Sequence, residues 1–133
     1  MEYMSRILKV ARETKGFSFH PRCLRMKLNH LVFADDLMLF CKGDMKSIMI
    51  LKQRVETFSA SSGLCANNSK SRIYLAGIDQ EFRNQAAQSL EFTSENLPVR
   101  YIGMPLTSKR YTIADYEYLV EEMTNQIRFW YAR

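Results

Sequence analysis

The sequence predicts an α+β fold, on three observations. Apolar residues recur at helical spacing near both ends: Met4, Ile7, Leu8 and Ala11 at one, and Ile113, Tyr116, Val120, Met123, Ile127 and Trp130 at the other. Two apolar runs, Leu24 to Phe33 and Leu37 to Cys41, flank Ala34-Asp35-Asp36. Hydrophobic residues make up 47% of the 133 residues and charged residues 25%, a balance that favours a packed core over disorder.

Taken in order, the first helix is expected from Met1 to Thr14, with Gly16 as its stop. It begins on its apolar pattern with no capping residue ahead of it, as an internal methionine of a longer reading frame would. In the next run Leu24, Met26, Leu28 and His30 point one way and Arg25 and Lys27 the other, which predicts a strand. The run from Leu37 to Cys41 is too uniformly apolar to alternate, as expected of a strand buried on both faces. A β-hairpin with the acidic pair at its tip joins them.

Asp44 is placed to cap a helix reaching about Ser62, with Ile48, Leu51, Val55 and Phe58 inward and Gly63 at its end. A short strand follows from Ser71 to Leu75. Gln80 to Glu91 reads as a helix with Phe82, Ala86 and Leu90 inward. Pro98, Gly103 and Pro105 make Leu97 to Leu106 a bent, irregular hairpin or turn rather than a regular strand. Thr112 and Asp115 resemble a capping box for the last helix, with Asp in place of the usual Glu. No later element is expected to cover that helix's stripe, although its spacing favours core packing for Trp130 over base stacking.

Composition narrows the function classes. The net charge of +5 and a pI near 9.2 suit a nucleic-acid partner without requiring one. No apolar run approaches the roughly 20 residues of a membrane helix. Glu2, Arg6, Lys9 and Arg12 interrupt any signal-peptide core. Cys23, Cys41 and Cys65 are odd in number and widely spaced, which favours reduced thiols over disulfides or zinc. An intracellular, reducing compartment is expected, with nucleus and cytoplasm not distinguished.

Asp35 and Asp36 are the sharpest chemical feature. As a dipeptide they are explained most simply as turn formers. Between two buried strands their charges would repel one another and lose hydration. A divalent cation resolves both problems, and Mg²⁺ typically takes one or two carboxylates together with substrate phosphates. In two-metal phosphoryl transfer the ions lie about 4 Å apart, one activating the attacking oxygen and one stabilising the leaving group.

Three blocks carry a family resemblance. His30-Leu31-Val32-Phe33-Ala34-Asp35-Asp36-Leu37-Met38-Leu39-Phe40 resembles the metal-binding turn of reverse transcriptases, in the form seen in non-LTR (LINE-type) retrotransposons, particularly those of plants. Ser62 to Ser71 is similar to the family's next motif, and Leu97 to Leu106 to the segment leading from palm to thumb. The helix at Met1 to Lys9 looks like the tail of the substrate-binding helix. The resemblance spans essentially the whole chain.

The resemblance implies a partial palm over 1–96, an antiparallel hairpin with packed helices, and a connection into a helical thumb over 97–133. It implies Mg²⁺ as cofactor, and RNA template, DNA primer and dNTP as partners. Asp35 matches the most direct metal ligand and Asp36 its neighbour. Phe33 stands where tyrosine is often found, which keeps the packing and removes a hydroxyl. Lys70 matches a lysine near the leaving pyrophosphate, where it would donate a proton or neutralise charge. A solvated loop lysine is the equally weighted alternative. Tyr101 and Gly103 fall in the primer-steadying segment, though ordinary packing is favoured for Tyr101. His30 is read as structural.

The family also needs an aspartate from an earlier palm strand, which this sequence does not carry ahead of its turn. The chain is therefore expected to be a fragment of an RNA-directed DNA polymerase, inactive by itself and marginally stable. The alternatives are a non-enzymatic nucleic-acid-binding module and a decayed retroelement remnant.

Overall fold

The computed structural model describes residues 2–101 and 104–132. The chain is α+β, in the order α1 (Glu2–Ala11), β1 (His30–Phe33), β2 (Asp36–Leu39), α2 (Met45–Ser62), β3 (Arg72–Tyr74), α3 (Gln80–Leu90), β4 (Thr93–Glu95), β5 (Val99–Tyr101), β6 (Met104–Leu106) and α4 (Ile113–Tyr131). It divides into two compact units, Met1–Ser94 and Glu95–Arg133.

In the first unit the expected helical stripes become the core. Met4, Leu8 and Ala11 of α1 bury against Leu51 and Phe58 of α2, with Leu37 and Leu39 of β2 packed alongside. Each fully buried Leu of this kind contributes about 1.5–3 kcal/mol relative to exposure. On its other side α2 sets Ile48 against Leu75 and against Ala86 of α3, with Phe82 and Leu90 partly buried around them. Val55, expected inward, is only half-buried.

Caps set the limits of α2. The Asp44 carboxylate accepts the Ser47 N–H at 2.8 Å and the Ser47 hydroxyl at 3.0 Å. Ser47 is fully buried, and its oxygen also accepts the Ser18 N–H at 2.9 Å, so the first turn of α2 pins the loop that follows α1. At the other end Gly63 has φ 73°, a left-handed cap that glycine adopts without a Cβ penalty.

The strands differ in extent from what the sequence suggests, and β4 at Thr93–Glu95 is not among those expected. The strand expected from Leu24 begins only at His30. Cys23, Lys27 and Leu28 donate to His20, Leu24 and Cys23 in successive turn bonds, and Lys27 takes a positive φ of 48°. These turns consume the backbone groups a strand would need, and leave Leu24 and Met26 60% and 68% exposed. The strands also form separate two-stranded ladders, β1 with β2, β3 with β4 and β5 with β6, rather than one sheet. Strand β2 is accordingly exposed at Asp36 and half-buried beyond it, not buried on both faces.

In the second unit β5 and β6 pair antiparallel, Val99 with Leu106 and Tyr101 with Met104, after a cis Leu97–Pro98 bond. Helix α4 starts at Thr112, whose N–H and hydroxyl donate to one Asp115 carboxylate oxygen at 2.6 and 2.8 Å. The expected stripe of α4 stays largely uncovered in this unit, with Tyr116 meeting the Tyr111 ring at 5.6 Å. Arg100 of β5 stacks 3.8 Å over the Tyr118 ring, and the Tyr111 hydroxyl donates to the Pro105 carbonyl at 2.6 Å. Ile113, Tyr116, Val120, Met123, Ile127 and Trp130 stay exposed, and Trp130 does not enter a core.

Candidate active site

The acidic pair sits at the tip of the β1–β2 hairpin. His30, Leu31, Val32 and Phe33 pair with Leu39, Met38, Leu37 and Asp36. Only Ala34 and Asp35 connect the strands, and Ala34 is left-handed at φ 50°. A two-residue connection of this kind needs a positive φ at its first position to match the strands' twist, and alanine holds it at some steric cost.

Alternation then assigns the faces. His30, Val32, Leu37 and Leu39 are half-buried, and Leu37 and Leu39 pack on the core. Leu31 and Phe33, on the opposite face, are 41% and 57% exposed. Asp36 lies opposite Phe33 and shares that outward face, while Asp35 occupies the turn.

Both carboxylates are exposed. The argument from lost hydration therefore does not apply to them here, whereas the repulsion between neighbouring charges does. Neither has a hydrogen-bond or ion-pair partner among the described residues, so their oxygens are available to a ligand. Hard carboxylate oxygens suit Mg²⁺, and two of them match its usual protein complement. No cluster of three or more His, Cys, Asp or Glu able to hold a metal gathers among the described residues. The donors fit the ion in kind and form an open site.

Each of the other candidates has its own surroundings. Lys70 is exposed in a turn after α2, where its N–H donates to the Asn67 carbonyl at 3.1 Å. It makes no ion pair with Asp35 or Asp36 among the described residues. Tyr101 belongs to β5 in the second unit, half-buried, with its hydroxyl buried and unpartnered among the described residues. Gly103 lies outside the described residues. A surface cleft lined by Lys15, Lys46, Gln53 and Glu56 among others includes none of these residues.

The residue that sequence reasoning passed over is Asn29. It is fully buried beside His30 and supplies the partner that His30 lacked in the sequence, with its Oδ1 2.8 Å from the ring Nδ1. A single Asn ahead of an apolar run gives no periodic signal, so nothing in the pattern marked it.

These features define a class, an α+β protein that presents a carboxylate pair on a short hairpin, the donor set of a hard divalent cation. Residues 1–106 match the family model of reverse transcriptase (RNA-dependent DNA polymerase), and the chain belongs to that family. No solved structure matches the chain.

Proposed function

We propose that the chain is a part of an RNA-directed DNA polymerase of the non-LTR (LINE-type) retrotransposon branch, plant-like, comprising partial palm (1–96) and the start of the thumb (97–133). The observation that carries the reading is the carboxylate hairpin within the family match over residues 1–106. The block His30 to Phe40 supports the branch.

In this reading Asp35 and Asp36 hold Mg²⁺, with Asp35 the more direct ligand. The chemistry a bound ion would supply there is neutralisation of phosphate charge and activation of the attacking primer oxygen. The short hairpin would present the two carboxylates side by side to template, primer and dNTP. Lys70 would supply a proton or charge at the leaving group, and Tyr101 and Gly103 would steady the primer strand. The free thiols of Cys23, Cys41 and Cys65 support a reducing, intracellular setting.

The open site supports a second element of the reading, that this chain does not polymerise alone. Two carboxylates without a third beside them among the described residues would leave substrate poorly positioned. Primer extension with Mg²⁺ on an RNA template tests it, and no incorporation is expected. Robust incorporation that Asp35→Ala abolishes would overturn the claim of inactivity. Salt-sensitive binding to an RNA–DNA duplex without extension would favour a binding module instead. An in-frame block with a further aspartate in the DNA upstream of Met1 would support the reading of the chain as a part of a longer enzyme.

A further inference from the structure

Helix α1 ends beside the root of the hairpin, and its last carbonyls need partners. Lys9, Val10 and Ala11 give theirs to the N–H groups of Arg12, Glu13 and Thr14 at 3.1–3.2 Å. The Leu8 carbonyl instead accepts from Asn29 Nδ2 at 2.6 Å, across 21 residues of sequence. Both residues are fully buried.

That bond orients the carboxamide. With Nδ2 committed to Leu8, Oδ1 is the atom that accepts the Arg12 Nε–H at 3.0 Å. The same oxygen faces His30 Nδ1 at 2.8 Å. A carboxamide oxygen cannot donate, so the hydrogen of that contact sits on Nδ1 and the neutral ring carries none on Nε2. The backbone of Asn29 faces the hairpin, because its carbonyl accepts the Phe40 N–H at 2.9 Å, one step beyond the His30–Leu39 pair.

We propose that Asn29 is a positioning residue. Its carboxamide fixes His30 as the Nδ1–H tautomer and ties the root of the Asp35–Asp36 hairpin to the last turn of α1. The purpose, though not the geometry, rests on the reading of Asp35 and Asp36 as metal carboxylates. The hairpin's outward face is uncovered at Leu31 and Phe33, so its orientation depends on its inward face and on this root.

The residue type follows from three simultaneous roles. Aspartate would keep the two acceptor contacts and lose the donor to Leu8. Leucine of similar size would lose all three. The ring's charge state fits the same arrangement. Burial lowers the His30 pKa, and Arg12 and then Lys9 lower it further. Both cations lie on α1 or just after it, and the residue opposite His30 on β2, Leu39, is uncharged.

Nitrogen–proton correlation NMR on the full chain, with the His30 ring labelled, tests the proposal. The wild type is expected to show Nδ1–H with unprotonated Nε2 at neutral pH. Asn29→Asp puts a carboxylate, kept ionised by Arg12, against the ring. It is expected to raise the His30 pKa by about one unit, a tenfold gain in proton affinity. Arg12→Gln is the second variant, chosen because it leaves Asn29 in place should Asn29→Asp not fold. It is expected to raise the His30 pKa while the tautomer stays Nδ1–H. An Nε2–H tautomer in the wild type or in Arg12→Gln would overturn the proposal, as would an unmoved titration in folded Asn29→Asp. None of these readouts uses metal or polymerisation, so their failure leaves the reading of the carboxylates standing, and the reverse holds.

Discussion

In α2, Ile48, Leu51 and Phe58 are 6%, 4% and 7% exposed, whereas in α4 Val120, Met123 and Ile127 are 60%, 55% and 48% exposed. Both helices carry apolar residues at steps of three and four, and both begin at a polar cap. What separates them is what else folds around them. α1, β2 and α3 close over α2 from two sides. Within its own unit α4 is held by the stack of Arg100 on Tyr118, and of its stripe Tyr116 meets the Tyr111 ring at 5.6 Å while remaining exposed. Periodicity states that a helix has an apolar face; it does not state that the face is covered.

The largest expected effect follows directly. Leu51→Ala should destabilise the first unit by about 2–5 kcal/mol, since the surrounding side chains relax only partly around the space left. Val120→Ala should change stability by no more than about 0.5 kcal/mol, as an exposed substitution does. Urea unfolding followed by circular dichroism measures both. A Val120→Ala penalty as large as that of Leu51→Ala would show that the α4 stripe is covered in solution.

The same contrast marks how far the sequence could be read. α1 and α3 were legible from the spacing of their apolar residues, and α2 from its spacing together with the caps Asp44 and Gly63. The hairpin was legible because two apolar runs bracket Asp35 and Asp36. The strand expected over Leu24 to Asn29 failed because Lys27 adopts φ 48° and the neighbouring N–H groups turn back on the chain, which alternation does not encode. Exposure of the carboxylates was missed for a similar reason, since uniform apolarity in Leu37 to Cys41 suggested a cover on both faces. Arg100 on Tyr118 and Asn29 on Leu8 are contacts between residues far apart in sequence, and composition is silent about them.

Helix starts sharpen the comparison at smaller magnitude. Asp44→Ala should cost about 1–2 kcal/mol in the first unit, because Ser47 is buried and loses both of its bonds to the carboxylate. Asp115→Ala should cost less, and should appear as fraying of α4 in the far-ultraviolet signal with the first unit's midpoint unmoved.

Acid should separate the two regions in the same order. His30 titrates below its ordinary value in the folded chain, through burial and then Arg12 and Lys9. Its unfolded form takes up a proton first, so its stabilisation is complete above about pH 6.5 and is lost as pH falls through the lowered value. Asp115 is also lowered, by the Thr112 N–H and then the Thr112 hydroxyl, but as a carboxylate. Its contribution is present above about pH 4 and is lost as pH falls through its lowered value. Unfolding midpoints between pH 7 and 5 should therefore fall for the first unit, and His30→Gln should flatten that slope. The α4 signal should stay level until the solution is more acidic than pH 4. A simultaneous loss of both would break the distinction.

Thiol labelling gives the mildest test, one that need not perturb stability. Cys41 packs at the point shared by the two core clusters of the first unit. Burial, and secondarily the Asp44 carboxylate, push its pKa up to about 12. At pH 8 its thiolate fraction is then on the order of 10⁻⁴, against about a tenth for an ordinary thiol near 9. Iodoacetamide should react with exposed Cys65 at once and with Cys41 only as the first unit opens. Val120→Cys adds a reporter on the α4 stripe and should label with Cys65, not with Cys41. Because Cys41 reacts through opening, Leu51→Ala should speed its labelling in proportion to the stability lost, while the Val120→Cys and Cys65 rates stay unchanged. Prompt labelling of Cys41 in the wild type would mean that the first unit's core is open in solution, and the contrast between α2 and α4 would collapse.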